Sequence, residues 1–505
     1  MENNNLRKKI RRFVMIAVLA LLTIGLFQKE VFAENVNTFS IQPLDENGNV
    51  NENGYYHIID EPGKQRTVSI RVYNLSEEEI SVNVTVNPAS TNQNGIPSYL
   101  GEEAYDASLI HRMDQLVAIE ESELLIPAGS SVLTTLIISL PQEEWEGDIL
   151  GGIRFTEKKN QQSEQTVTHE VAYTVGILLN RVGGSAVENE LFLNEVTASQ
   201  RNYRNHIEAN LQNRAAVIVR NMSIQSSIYR EGSGTPIYTY DAYELRMAPN
   251  SNFNFGIPAG NQPIEAGNYV LKTQVTADEK EYRFEQSFSI TNANARQLNQ
   301  SAVNLERTTS YMSYGIFAGN EVTPEEPTNP YPGLLRINYV SNFDFGQIQN
   351  VSRAIEQKAR LDHVWVNGEE VSRVPFVATE DRRGSERLGW ELQVSQPNQL
   401  ADASGHELIG ATITLSGLRY VNATAATPIV NQNEIVLGAA AQTLATADTA
   451  QGSGAWALAL GQSNGEGHTD GVVLRIPANT TANNTEYSTA IVWELVADPT
   501  TGIGG

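Results

Sequence analysis

The chain of 505 residues contains no cysteine. A disulfide framework, a thiolate metal site and a cysteine nucleophile are therefore excluded. Basic residues are also few, because 35 Lys and Arg stand against 59 Asp and Glu, which gives a formal net charge of −24. A chain this acidic is not expected to bind nucleic acid or an anionic membrane through its charge.

Long apolar runs are absent after the first 33 residues. At the N-terminus, five basic residues precede an apolar stretch, Phe13 to Phe27, and the sequence VFA with its small Ala33 lies just before Glu34. This pattern predicts a secretory signal peptide over residues 1–33 and a mature chain that begins near Glu34. The six basic and two acidic residues of this region contribute +4, so the rest of the chain carries −28. We expect an exported protein with no membrane span or lipid anchor.

Motifs for catalysis and metal binding are scarce. The seven histidines show no metal-ligand spacing, and no phosphate loop or nucleotide fingerprint occurs. Residues 461–465 match G-x-S-x-G, which would make Ser463 a nucleophile, but the sequence after it does not predict the helix that this hydrolase motif needs. Asp45 begins a series of alternating oxygen ligands that lacks the glycine and closing glutamate of a calcium loop. We therefore predict no catalytic residue, no metal and no cofactor.

Short runs with period-two alternation, separated by turn clusters, fill most of the remaining chain. They predict an all-β protein of three β-sandwich domains, Ig-like or Greek-key in type, in series. One stretch, Ala293 to Arg307, has a helical composition and predicts a short helix or an extended exit. A segment rich in Pro and Glu predicts a stiff linker. The predicted division is a signal peptide (1–33), two sandwiches (34–160 and 161–306), a linker (307–333) and a C-terminal domain (334–505).

The triplet Trp-Glu-Leu occurs twice in a chain that has five tryptophans. Alternate residues of a strand share a face, so Trp390 is expected beside Leu392, and Trp493 beside Leu495. A looser copy of the pattern contains Trp456. Two interpretations stay open for these five residues. They fill the core of a sandwich, or they form a platform that stacks on sugar rings.

The C-terminal domain resembles the WxL surface domain of low-GC Gram-positive bacteria. The matching elements are YVSNFDFG (339–346), the run that ends in the first triplet, the strand AWALALG, the strand VVLRIPAN, and the closing triplet followed by Asp498 and Pro499. The resemblance implies a domain that binds the cell wall.

The two preceding domains resemble the two domains of WxL-interacting proteins. The first is similar to their peptidoglycan-binding domain through FSIQPL, NPASTNQNGIPSY (87–99) and GDILGGIRF (147–155). The second is similar to their host-binding domain through AYTVGILL, residues 196–213 and MAPNSNFNFGIP (247–258). WxL-interacting proteins normally continue into a transmembrane helix and a basic tail, whereas here a WxL-type domain follows. The chain thus joins a WxL domain to its usual partner type, as a natural fusion or as an artificially joined chain.

The resemblance implies a non-enzymatic surface protein, secreted to the wall of a Gram-positive bacterium. Its first and third domains would hold peptidoglycan non-covalently, and its second domain would bind host ligands such as extracellular matrix proteins. If the tryptophans fill the core, exposed polar side chains of the first domain such as Asn92 and Asn94 are expected to meet the glycan instead. The second hypothesis is an assembly module whose N-terminal domains bind a WxL domain in cis or in trans. The third is a cell-wall hydrolase that uses Ser463.

Overall fold

The computed structural model describes residues 38–101, 104–158, 167–302, 333–346, 348, 353–366, 369–384, 387–421, 423–478, 480–483, 485–497 and 500. The expected signal peptide, nearly all of the expected linker, and Asp498 and Pro499 lie outside these residues. The described chain is almost entirely β and consists mainly of antiparallel sheets, which confirms the predicted all-β class. We call residues 38–181 the first module, residues 182–302 the second module and residues 333–500 the third module.

The first module is built from alternating β-branched strands. In β3, for example, Val68, Ile70 and Val72 are buried while the residues between them are more exposed, as a half-buried strand requires. One of its sheets has the strand order β1-β3-β9-β7. The elements are β1 (Phe39–Leu44), β2 (Tyr56–Asp60), β3 (Gln65–Asn74), β4 (Ile80–Pro88), β5 (Ser90–Thr91), β6 (Pro97–Ser98), α1 (Met113–Leu116), β7 (Val117–Ile119), β8 (Glu123–Ile126), β9 (Ser131–Ser139), β10 (Ile149–Glu157) and β11 (Val167–Arg181).

The second module is a sandwich of two sheets, with strand orders β12-β13-β16 and β15-β14-β17-β18. Ile207 of one sheet and Ile224 of the other belong to the same buried cluster, so the module has its own core. Thr291 caps the helix α2 by accepting a hydrogen bond from the Asn294 amide. The elements are β12 (Leu191–Arg201), β13 (Arg204–Asn213), β14 (Val219–Arg230), β15 (Pro236–Met247), β16 (Ser251–Pro258), β17 (Gly267–Ala277), β18 (Lys280–Ile290) and α2 (Asn292–Ser301). Residues 293–301 of the expected stretch are therefore helical.

The third module contains sheets with the orders β19-β23-β30-β26, β20-β31-β25-β28 and β21-β22. The two triplets begin β24 and lie within β32. The elements are β19 (Leu335–Val340), β20 (Ile355–Arg360), β21 (Asp362–Val366), β22 (Glu369–Arg373), β23 (Phe376–Asp381), β24 (Trp390–Ser395), β25 (Thr412–Ser416), β26 (Leu418–Tyr420), β27 (Ile429–Val430), β28 (Glu434–Val436), β29 (Gln442–Ala447), β30 (Gly454–Leu460), β31 (His468–Ile476) and β32 (Thr489–Ala497).

A single large sheet joins the first and third modules. Its order is β27-β29-β24-β32-β11-β10-β4-β8, and β2 also pairs with β11. Strand β32 runs parallel to β11, in register from Val167 opposite Thr489 to Val175 opposite Ala497. The last described strand of the chain therefore extends the sheet of the first module. The predicted boundary at residue 160 stays a prediction, but the ladder of β10 continues into β11.

The first and third modules also share one hydrophobic core. Phe39 and Phe155 of the first module belong to the same buried cluster as Ile337 and Leu474 of the third. The ring of Tyr173 on β11 meets Phe39 edge-on, with 5.2 Å between centroids. In the described ranges, no helix has the length and apolarity needed to cross a membrane.

Candidate assembly interface

The two Trp-Glu-Leu strands are direct neighbours in the large sheet. Leu392 lies opposite Leu495, and Val394 lies opposite Trp493, in an antiparallel ladder. Trp390 is 1% exposed and Trp493 is 0% exposed, and both leucines are buried in the shared core. In this arrangement none of the four candidate glycan contacts is open to a sugar ring. The geometry favours the core interpretation and does not support glycan stacking by these residues. Such stacking stays a prediction.

Trp456 differs from the other two because it stays partly exposed. Its indole N–H donates to the Ser453 carbonyl at 3.0 Å, and its ring meets Tyr420 edge-on with centroids 6.0 Å apart. Of the three candidate tryptophans, Trp456 is the one whose side chain a wall glycan can reach.

A buried histidine of the first module contacts the second triplet. The Trp493 indole N–H donates to Nδ1 of His169 on β11 at 2.9 Å. Phe343 meets the His169 ring edge-on, with 4.9 Å between centroids. His169 is 3% exposed. Sequence reasoning missed this contact, because the histidine has no distinguishing spacing and lies within an ordinary strand pattern.

The central glutamate of the second triplet is also buried, on the opposite face of β32. Glu494 accepts hydrogen bonds from Nε of Arg154 at 3.2 Å and from the hydroxyl of Thr174 at 2.5 Å. Arg154 lies on β10, and Thr174 lies beside it on β11. The partners of this carboxylate therefore belong to the first module.

The central glutamate of the first triplet has the same kind of environment. Glu391 is 1% exposed and accepts from Nη2 of Arg246 at 2.5 Å and from the hydroxyl of Thr443. Arg246 belongs to β15 of the second module, and its other terminal nitrogen donates to Thr500. Each triplet glutamate thus pairs with one arginine from outside the third module and one threonine.

The two candidate asparagines lie at the meeting point of the three modules. Asn92 is 3% exposed, and its side-chain amide donates to the Ala441 carbonyl of the third module at 3.1 Å. Asn94 donates to the same carbonyl at 2.9 Å. The neighbouring Gly95 carbonyl accepts from the Arg246 amide at 2.7 Å. Both side chains bind protein backbone here, so their assignment as glycan contacts stays a prediction.

A carboxylate of the first module binds the second module. Asp106 accepts from Gln212 at 2.8 Å and from Asn252 at 2.5 Å. Burial acts to raise the pKa of Asp106, but hydrogen bonds from Ser108, Asn252 and Gln212 outweigh it and leave the pKa below its usual value. The carboxylate is therefore charged at neutral pH and orients the first module on the second.

The weaker sequence motifs form no site. Ser463 lies in the turn between β30 and β31, where it bridges to Thr469, so the strand-to-helix elbow of a hydrolase is not formed. Asp45 accepts from the amides of Asn47 and Asn49, which closes a turn. Among the described residues, no group of three or more His, Asp or Glu is placed to hold a metal ion.

Comparison with protein families gives three matches in succession. Residues 39–157 match the peptidoglycan binding domain of the WxL Interacting Protein, and residues 162–300 match its host binding domain. Residues 292–499 match the cell wall-binding WxL surface domain. No curated protein matches the chain.

Similar solved structures have low TM-scores. The E. coli chaperone DraB is 11% identical, with a TM-score of 0.21 over 50% of this chain and 97% of that one. The chaperone–tip adhesin complex CsuC–CsuE of Acinetobacter baumannii is 15% identical, with a TM-score of 0.23 over 49% of this chain and 97% of that one. Similarity at this level gives no indication of function.

The three family matches define a cell-wall-binding surface protein built from binding domains rather than from catalytic ones. Specifically, the chain matches the peptidoglycan-binding domain and the host-binding domain of WxL-interacting proteins and then a WxL domain, in that order.

Proposed function

We propose that this protein is an exported wall scaffold whose N-terminal domains bind its own WxL domain in cis. One observation carries the proposal. Strand β32 of the third module completes the sheet of the first module, in a ladder from Val167 to Val175. Strand addition of this kind supplies affinity through main-chain hydrogen bonds, and side chains on the two faces supply specificity.

The docked arrangement has a consequence for wall binding. Residues 39–157 of the first module and the third module match wall-binding families, and the shared sheet and core hold them as one body. Two weak sites held in a fixed relation gain affinity through effective concentration. The chain is strongly acidic, so its retention on a polyanionic wall depends on hydrogen bonds, stacking and shape.

Binding of the whole protein to purified Gram-positive sacculi tests wall retention. We expect the protein to stay on the sacculi in 1 M NaCl, because salt screens ionic contacts and leaves the others. A Trp456→Ala variant is expected to bind more weakly, and a Trp390→Phe variant serves as the buried control. Release of the wild-type protein by salt alone would contradict the proposal.

Docking in cis is tested on the whole chain with a site-specific protease site inserted within residues 307–332. After cleavage, the two parts are expected to elute together in size-exclusion chromatography, because the sheet and the core continue across them. As a control, the same elution is measured at increasing concentrations of urea, all below the unfolding transition. Separation of the two wild-type parts in native buffer would rule out stable docking.

The second module is proposed to bind host ligands, because it matches a host binding domain. The module has its own core, and strands β15 and β18 lie at the two edges of one of its sheets. Binding of the whole protein to immobilised extracellular matrix proteins, with and without the second module blocked by a domain-specific antibody, tests this role. Binding that the antibody leaves unchanged would remove it.

A further inference from the structure

We propose that the central glutamate of each Trp-Glu-Leu triplet determines which WxL domain the N-terminal modules accept. Glu494 is selected through Arg154, and Glu391 through Arg246. This inference rests on the docking in cis proposed above and extends it, because it assigns partner choice to the middle residue of the triplet.

The two carboxylates lie on one face of the sheet. Glu494 lies opposite Gln393, and Glu391 is two residues from Gln393 along the same strand. Paired residues and alternate residues of a strand share a face. The tryptophans and leucines of both triplets occupy the other face. One face therefore fills the core, and the other carries two negative charges toward the N-terminal modules.

The two arginines come from different modules and are themselves largely buried. The side chain of Arg154 is 17% exposed and that of Arg246 is 11% exposed, against 8% for Glu494 and 1% for Glu391. The two glutamates of the third module therefore contact both N-terminal modules at the same time. A WxL domain that satisfied only one of them would leave the other arginine without its carboxylate.

Burial makes these pairs selective rather than simply stabilising. A buried ion pair gains little over apolar residues of equal volume, but removal of one partner leaves a costly uncompensated charge. A strand with Gln, Lys or Arg at the middle position would deprive Arg154 or Arg246 of its carboxylate. Discrimination therefore works by rejection of the wrong strand.

The fitting partner is defined by chemistry. It is a β-strand that presents Trp and Leu on one face and a carboxylate on the other, within a sheet that can extend β11 in parallel. The third module of this chain meets each condition with Glu494 in β32. A strand with a basic middle residue is excluded.

The test is a charge-reversal cycle on the whole chain with the inserted protease site. The variants are Glu494→Lys, Arg154→Glu and the double variant, each compared with wild type. After cleavage, the dissociation constant of the two parts is measured by dilution. Each single variant is expected to raise the constant at least about thirtyfold, and the double variant to recover at least about tenfold of that loss.

A matched control lies in the same module. Glu356 pairs with Arg475 on the surface at 3.1 Å, and both side chains are about half exposed. Glu356→Lys is expected to change the dissociation constant less than about threefold, because exposed pairs contribute little. The parallel cycle of Glu391→Lys and Arg246→Glu is expected to behave like the first.

The outcomes separate the two proposals. Separation of the wild-type parts after cleavage defeats docking in cis. The selection by charge is ruled out if the wild-type parts stay together but the dissociation constant of the double variant is no lower than the product of the two single effects predicts. If circular dichroism shows that a reversed chain does not fold, the milder cycle of Glu494→Gln and Arg154→Gln decides, and it too must show recovery in the double variant.

Discussion

The indole N–H of Trp493 donates a 2.9 Å hydrogen bond to Nδ1 of His169, which lies 324 positions earlier in the chain. This bond crosses from the third module to the first, within the shared core. Because Nδ1 accepts, the imidazole is held as the tautomer with its proton on Nε2. A polar atom of the motif tryptophan is thereby satisfied by the partner module.

The two motif tryptophans are expected to respond differently to the same substitution. Trp493→Phe loses the bond to His169 as well as ring volume, whereas the Trp390 indole N–H has no hydrogen-bond partner among the described residues. We expect Trp493→Phe to lower the free energy of unfolding by about 1–2 kcal/mol more than Trp390→Phe. Urea denaturation followed by circular dichroism measures the difference. Equal losses would show that the bond to His169 contributes nothing to stability.

The buried amide of Asn92 provides a test of assembly against glycan binding. Asn92→Ala removes the donor to the Ala441 carbonyl, so stability is expected to fall by about 1–3 kcal/mol. The exposed Asn47 is a suitable control for the same substitution. Binding of folded protein to sacculi is expected to be unchanged in both variants. Weaker binding with unchanged stability for Asn92→Ala would instead assign this residue to the glycan.

Close contact at Gly152 of β10 provides a third prediction. A Cβ atom there would lie 2.8 Å from the ring of the buried Tyr99, whereas a Cβ at Gly234 would meet nothing within 4 Å. Gly152→Ala must displace the ring and is expected to destabilise the protein by about 1–3 kcal/mol. Gly234→Ala is expected to be neutral. A shift in the urea midpoint distinguishes the two, and matching midpoints would mean that the Tyr99 ring can move without cost.

The stability of the second module is expected to depend on pH through His206. Burial lowers the pKa of His206, and the nearby Arg201 and Arg204 guanidiniums act in the same direction, while the Arg204 carbonyl and Glu208 oppose them. The unfolded chain therefore takes up the proton first as pH falls. The stabilisation from this group is complete above the unfolded pKa of about 6.5 and declines below it.

Urea midpoints at pH 8, 7, 6 and 5 measure this dependence. Below pH 6.5, the urea midpoint of His206→Gln is expected to decline less than that of the wild type. Above this pH, the two midpoints are expected to differ by a nearly constant amount. His57, an exposed histidine of the first module, provides the matched His→Gln control. A His206→Gln variant whose midpoint falls as steeply as that of the wild type below pH 6.5 would show that this partly buried imidazole contributes no pH dependence.

Local patterns predicted the all-β class and the common face of Trp390 and Leu392, and they marked the segment of α2 as a short helix or an extended exit. They did so because strand periodicity and helix composition depend on neighbouring residues. They did not predict that Glu391 and Glu494 are buried. A glutamate between two apolar residues indicates a solvated face, unless arginines from distant strands cover it, and period-two alternation carries no information on what lies above a face.

The pairing of β11 with β32 could not be predicted from the sequence, for a related reason. Each strand has an ordinary alternating pattern, and nothing in either one specifies a parallel neighbour more than three hundred residues away. The family resemblance identified both domains, but it did not specify how they meet. Asn92 and Asn94 were expected to meet a glycan, and their contact with the Ala441 carbonyl lies beyond what the sequence pattern predicts.

The parallel ladder between β11 and β32 also bears on the order in which the chain folds. At synthesis rates of about 5–20 residues per second, β11 is made on the order of half a minute before β32. Throughout that interval its backbone edge has no native neighbour along Val167 to Val175, and such an edge can pair with other chains. Contacts this distant in sequence also slow folding. The nascent protein is therefore open to aggregation along this edge until β32 is complete.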